Sequence, residues 1–141
     1  MNKLISILAI VFIFISCSEK KESEIQSDLE LKMNIIAEDY VKLVLNIGQY
    51  DADFVDAYYG PENWRSGLKT NLQFDSTAYK NLSSKTDELL NELESLGEYK
   101  ADELETLRFR YLYKQLLACK TKNFMLNGVL LPFDEETKAL Y

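Results

Sequence analysis

Three kinds of side chain in this sequence are placed to do chemistry: two thiols, some neighbouring carboxylates, and a cluster of tyrosines beside the single tryptophan. There is no histidine. That removes the base of a Ser-His-Asp or Cys-His arrangement. It also removes the usual zinc sites, which draw on His and Cys together. Cys119 sits in the apolar run Leu116-Leu117-Ala118-Cys119. With no base to activate it, this thiol reads as buried and inert. The carboxylate pairs Glu92/Glu94 and Glu135/Glu136 would need a perturbed carboxyl in a cleft for acid–base work. Their charged, helix-forming surroundings make them solvated or first-turn charges instead. No catalytic residue is assigned.

The densest cluster of unusual residues is Tyr50 to Arg65. As a calcium loop it fails on spacing. Asp51 and Asp53 fit alternate ligand positions, but Asp56 is out of step and no glycine supplies the sharp turn. As a carbohydrate or peptide platform, Tyr58, Tyr59 and Trp64 supply flat rings, with Asp56 and Arg65 as polar partners. As scaffold, Asp51 and Asp53 are turn and cap residues and the aromatics pack a hinge between helices. The sequence leaves both of the last two readings standing.

Cys17 has a different chemistry. Met1-Asn2-Lys3 is a short positive start, and Leu4 to Ile15 is an apolar run broken only by Ser6. A hydrocarbon core of about 30 Å needs roughly 20 residues to cross, so this run has the length of a signal-peptide core. It ends in Phe14-Ile15-Ser16-Cys17, which resembles a lipobox, with Phe14 in place of the usual leucine. Residues 1–16 are thus expected to be a lipoprotein signal peptide, and Cys17 the lipidated residue. Each buried CH₂ of lipid contributes about 0.8 kcal/mol, so two or more chains anchor stably. An ordinary secreted protein or a single membrane-spanning helix is the competing reading. Residues 17–23 are polar and acidic, a flexible tether that resembles the surface-export tether of Bacteroidetes lipoproteins. The expected location is the cell envelope, at the outer membrane, periplasmic or surface-exposed.

The net charge is −7, and losing the leader removes Lys3, so the exported part is one unit more acidic. Nucleic acid, bound through cationic contacts to phosphate, is not an expected partner. The length allows one domain, residues 24–141. Its elements are punctuated by glycines and prolines. Apolar spacing predicts a first helix from about Glu24 to Ile47, on the stripe Ile25, Leu29, Met33, Ile36, Tyr40, Val44 and Ile47, ended by Gly48. A short helix from Asp53 through Tyr59 and a turn begun by Pro61 come next. A third helix runs from Asp75 or Ser76 to Leu96, stopped by Gly97. A fourth runs from Ala101 or Asp102 to Leu126, with Leu104, Leu107, Tyr111, Leu112, Gln115, Ala118 and Cys119 on one face. Asp134-Glu135-Glu136 opens a further helix near the end. The fold class is all-α, an antiparallel helical array. A new helix begun so near Tyr141 reads as the front of a longer product, with a short C-terminal helix docking on the bundle as the competing reading.

Two runs carry a family resemblance: residues 51–65, DADFVDAYYGPENWR, and residues 132–141, PFDEETKALY. Together they resemble the N-terminal region of a family of larger, helical bacterial proteins, themselves similar to zinc metallopeptidases with a His-Glu-x-x-x-x-His-His helix far downstream. The resemblance implies a helical front portion that covers a substrate channel. It transfers no catalytic residue and no metal ligand, and zinc is implied only for a longer form. The expectation is a membrane-anchored segment that is not catalytic by itself. The alternative is a small non-enzymatic envelope lipoprotein that binds a protein, peptide or glycan partner through Asp56, Tyr58, Tyr59, Trp64 and Arg65. For the anchor, Cys17→Ser is expected to abolish incorporation of labelled palmitate, and undiminished labelling would refute the assignment.

Overall fold

The chain folds as helices wherever an apolar stripe recurs every three or four residues. A computed structural model describes residues 26–65, 67–97 and 103–140. The leader, Cys17 and the tether lie outside the described residues. The fold is all-helical, and no strand occurs among the described residues. No helix among them is long and apolar enough to cross a membrane.

The chain divides into two compact units, Met1–Asn34 and Ile35–Tyr141. In the first, the described residues 26–34 are helical, with Met33 buried and an ion pair from Lys32 to Asp28 at 2.7 Å. The second carries the rest. The helix we call α1 covers residues 26–47, and within the second unit it buries Ile36, Leu43, Leu45 and Ile47. Then come α2 (Glu62–Arg65), α3 (Ser76–Ser95), α4 (Glu103–Leu126) and α5 (Phe133–Leu140).

The N-cap of α3 is Asp75, whose carboxylate accepts from the Ala78 amide at 2.7 Å. This satisfies one of the donors that a helix start leaves without a partner. After Leu96, Gly97 takes φ +73°, the left-handed turn that ends many helices. Gly48 works differently. It has no positive φ, but a Cβ there would stand 3.0 Å from the Val55 methyl. The absent side chain lets the next loop close against the end of α1.

Cross-chain contacts fix the directions. Tyr79 meets Phe124 at 6.3 Å between ring centroids, Asn123 reaches Thr86 at 3.2 Å, and Lys120 reaches Asp87 at 2.8 Å. Positions rising along α3 meet positions falling along α4, so the pair is antiparallel. Lys85 to Asp39 at 3.0 Å and Tyr50 to Phe74 at 5.2 Å place α3 antiparallel to α1 as well. Tyr40 donates to the Gln115 side chain at 3.2 Å, which ties α1 to α4. Burial, then the nearby Cys119 and Tyr111, push the Tyr40 phenol well above its ordinary value.

Two expectations need correction. Leu104, Leu107 and Tyr111 do not face the core; they are 72%, 54% and 64% exposed. The buried face of α4 is Leu112, Leu116, Cys119 and Asn123, with Ala118 beside it. This helix has apolar residues on nearly every side, so spacing alone supports two stripes, and packing against α3 selects one. The helix expected over Asp53–Tyr59 is also absent. A single 3₁₀ turn, Ala52–Phe54, is capped by Asp51. Helix nucleation is costly, and residues 55–59 bury no face that would offset it.

The core is leucine-rich. Leu89, Leu93 and Leu116 have no solvent exposure, and each contributes about 1.5–3 kcal/mol by leaving water. The Leu116→Ala variant is therefore expected to lose about 2–5 kcal/mol in urea unfolding. Leu107→Ser, on the exposed side of the same helix, should stay within about 0.5 kcal/mol of the parent.

Candidate functional site

Between α1 and α3 the chain runs through residues 48–75 with little regular structure, yet it is tied down at several points. Gln49 is the central tie. Its backbone carbonyl accepts from the Leu72 amide at 2.8 Å, and its side-chain oxygen accepts from the Lys69 amide at 3.1 Å. Its side-chain nitrogen donates to Asn46 at 2.9 Å, and Asn46 donates in turn to the Lys42 carbonyl at 2.9 Å. One residue thus satisfies both ends of the loop, where polar backbone groups near a core need partners.

A second tie comes from α4. Lys122 forms a short ion pair with Asp51, and its ammonium lies 5.6 Å from the centre of the Phe54 ring. Both partners are largely shielded, with side-chain exposures of 16% and 21%. The Lys122 contact holds the Asp51 carboxyl below the usual carboxylate range, and the Asp53 amide adds to this against the opposing effect of burial. A third tie is aromatic: Tyr50, Phe74, Tyr79 and Phe124 meet in successive pairs 5.2, 6.5 and 6.3 Å apart.

On this frame the loop forms an open groove of about 550 Å³, lined by Val55, Asp56, Tyr58, Glu62, Arg65 and Lys69 among others. The Tyr58 ring folds over Gly60, where a Cβ would come within 2.5 Å of its hydroxyl oxygen, and that hydroxyl donates to the Pro61 carbonyl at 2.9 Å. Gly60 thus keeps the ring flat against the backbone.

Of the five residues expected to form a ligand or partner patch, the structure brings three together. Asp56, Tyr58 and Arg65 line the groove. Tyr59 does not; it is 96% exposed and packs on nothing that would hold it. Trp64 is half-buried outside the groove, with the Lys42 ammonium 5.3 Å from its ring centre and Lys42 paired to Glu38 at 2.6 Å. Asp51 is the cap residue that the scaffold reading expects. The roles of Gln49, Asn46 and Lys122 are invisible to sequence reasoning, because the loop contacts of Gln49 and Lys122 are distant in sequence and no local pattern marks any of the three.

The groove carries two carboxylates and two cations. It can hydrogen-bond and ion-pair a polar ligand, and no cysteine lines it. The free thiol, Cys119, is 1% exposed, and burial pushes it up to about 12. It is therefore a protonated core side chain at neutral pH. Glu92, Glu94 and Glu135 are exposed and Glu136 is half-exposed. Among the described residues no group of three or more Cys, Asp or Glu is placed to hold a metal ion.

No family model matches the chain, and neither a curated protein nor a solved structure matches it.

The Asp51–Lys122 pair makes a signed pH prediction. A carboxyl with a lowered folded pKa stabilises fully above the unfolded value, about 3.9, and loses that stabilisation as pH falls through the folded value. Lys122→Met is expected to cost about 1–3 kcal/mol at pH 7. Its deficit in thermal unfolding should shrink as the pH is lowered below the carboxylate range. A deficit that stays constant with pH would show that Lys122 acts through packing alone.

Proposed function

We propose that this chain is a lipid-anchored envelope segment that recognises and does not react. It forms the N-terminal helical part of a metallopeptidase-like protein and is not catalytic by itself. The observation that supports this reading is the loop of residues 48–75. It is irregular, but Gln49 holds it to Asn46 of α1 and Lys122 holds it to α4. Ordered loops on rigid helices are where proteins commonly place recognition surfaces. This one offers a groove of mixed charge, with Asp56 and Glu62 beside Arg65 and Lys69.

In this reading the sequence resemblance of residues 51–65 supplies the context. The loop borders a substrate channel, and zinc is held by a helix that residues 1–141 do not contain. Cys17 tethers the assembly to the envelope membrane, at the outer membrane.

A second reading is favoured by one observation, the fully exposed Tyr59 next to the groove. A tyrosine ring, apolar in body and polar at its tip, is a residue type enriched at interfaces. Here the chain is a small non-enzymatic lipoprotein, and Tyr59 with Asp56, Tyr58 and Arg65 binds a protein, peptide or glycan.

The coding DNA separates the two. The first reading expects the frame to run on past codon 141 into a helix rich in histidine and glutamate. A stop codon directly after Tyr141, with no such frame nearby, would remove the metallopeptidase reading and leave the binding lipoprotein.

A further inference from the structure

Residues 49–72 leave the end of α1 and come back to it. Gly67 and Asn71 turn the chain through left-handed backbone, at φ +82° and +56°. The return brings Leu72 to the residue the loop started from. Its amide donates to the Gln49 carbonyl at 2.8 Å, and one residue on, Tyr50 meets Phe74 edge-on at 5.2 Å. The loop is therefore closed at its base, as an Ω-loop is.

Its hold on the helices differs in kind from their hold on one another. Every buried side chain among the described residues belongs to α1, α3 or α4. Between Gln49 and Leu72 no described residue is buried. Two lysines reach this segment from the helices. Lys122 of α4 pairs with Asp51 and lies 5.6 Å from the Phe54 ring centre, and Lys42 of α1 lies 5.3 Å from the Trp64 ring centre. A few contacts of this kind hold a segment less firmly than a leucine seam holds two helices.

We propose that residues 49–72 open and close as one unit while the helices of the second unit stay packed, so that the loop groove exists only in the closed state. Apart from Leu45 and Gly48, every residue that lines the groove belongs to this segment. Opening therefore dismantles the groove and leaves the leucine core in place. A ligand that binds there draws the loop shut, by as much as it prefers the closed form. Moving surfaces of this sort are drawn from the parts of a fold with low local stability. The inference holds whatever the groove binds.

The test is amide hydrogen exchange on the full chain, residues 1–141, in mild detergent for its apolar N-terminal run, read residue by residue by NMR. The amides of Lys69 and Leu72, both bonded to Gln49, should be protected, at least about a hundredfold less than those of Leu89, Leu93 and Leu116. Low urea should change their protection little, because opening the loop exposes little surface, and should lower protection in the helices. Leu116→Ala should lower protection at Leu89 and leave Leu72 as it was. Cys119→Ala, a smaller loss in the same interior, is the second variant if the first does not fold. Lys122→Met should lower protection at Leu72 about tenfold, since one latch serves the whole unit. Protection at Leu72 equal to that of the helices, with the same urea dependence, would show that the loop opens only when the helices part. A core variant that lowers Leu72 as much as Leu89 would show the same. No protection at Leu72, or none lost in Lys122→Met, would show that no closed unit forms. Each of these results overturns the proposal.

Discussion

Asn123 lies in the seam between α3 and α4, only 1% exposed. Its amide nitrogen donates to the Thr86 hydroxyl at 3.2 Å, and that hydroxyl donates to the Leu82 carbonyl at 2.7 Å. Its side-chain oxygen has no hydrogen-bond partner. A buried polar group in this state costs free energy that an apolar residue would not. Its contribution is register, since sliding α4 by one turn would leave the Asn123 amide buried without its acceptor, while Thr86 would keep its bond to Leu82. The leucines on either side would tolerate such a slip; Asn123 would not. Several contacts elsewhere in the fold depend on that register. It puts Lys122 opposite Asp51, Lys120 opposite Asp87 and Phe124 against Tyr79.

The loop is therefore ordered from outside itself. Residues 48–75 have little helical content and a modest apolar surface, so they could not hold one conformation as an isolated segment. Gln49 and Asn46 anchor them to the end of α1, and Lys122 anchors them to α4. The shape of the groove and the stability of the fold share residues here. A change in the helical seam alters the groove without touching any residue that lines it.

The legibility of this fold in the sequence tracks the locality of each signal. Helix α3 is readable from end to end, because its cap Asp75, its leucine stripe and its stop Gly97 all lie within one stretch. Helix α4 is readable in extent and not in orientation. Leu107 and Tyr111 are as apolar as Leu112 and Leu116, and only the presence of α3 decides which pair is covered. A polar Asn123 in the core argues against the correct face until Thr86 is placed beside it. In the candidate site, the cap role of Asp51 is legible because its partner is two residues away. Its ion pair with Lys122 is not, and neither is the contact from Gln49 to Lys69, which spans 20 residues. Among the five patch residues, proximity in sequence is all that groups Tyr59 and Trp64 with the rest. The turn at Gly60-Pro61 sends their rings to different surroundings.

Cys119 gives the seam a consequence of another kind. Its sulfur faces the same interior as Leu116 and Asn123, and its proton is held by the absence of water around it. A thiol reagent can reach it only when the helices part, so the speed of its modification is a clock for that parting. If Cys17 carries lipid as proposed, Cys119 is the one thiol left to react. The fold then carries its own gauge of how often its interior opens.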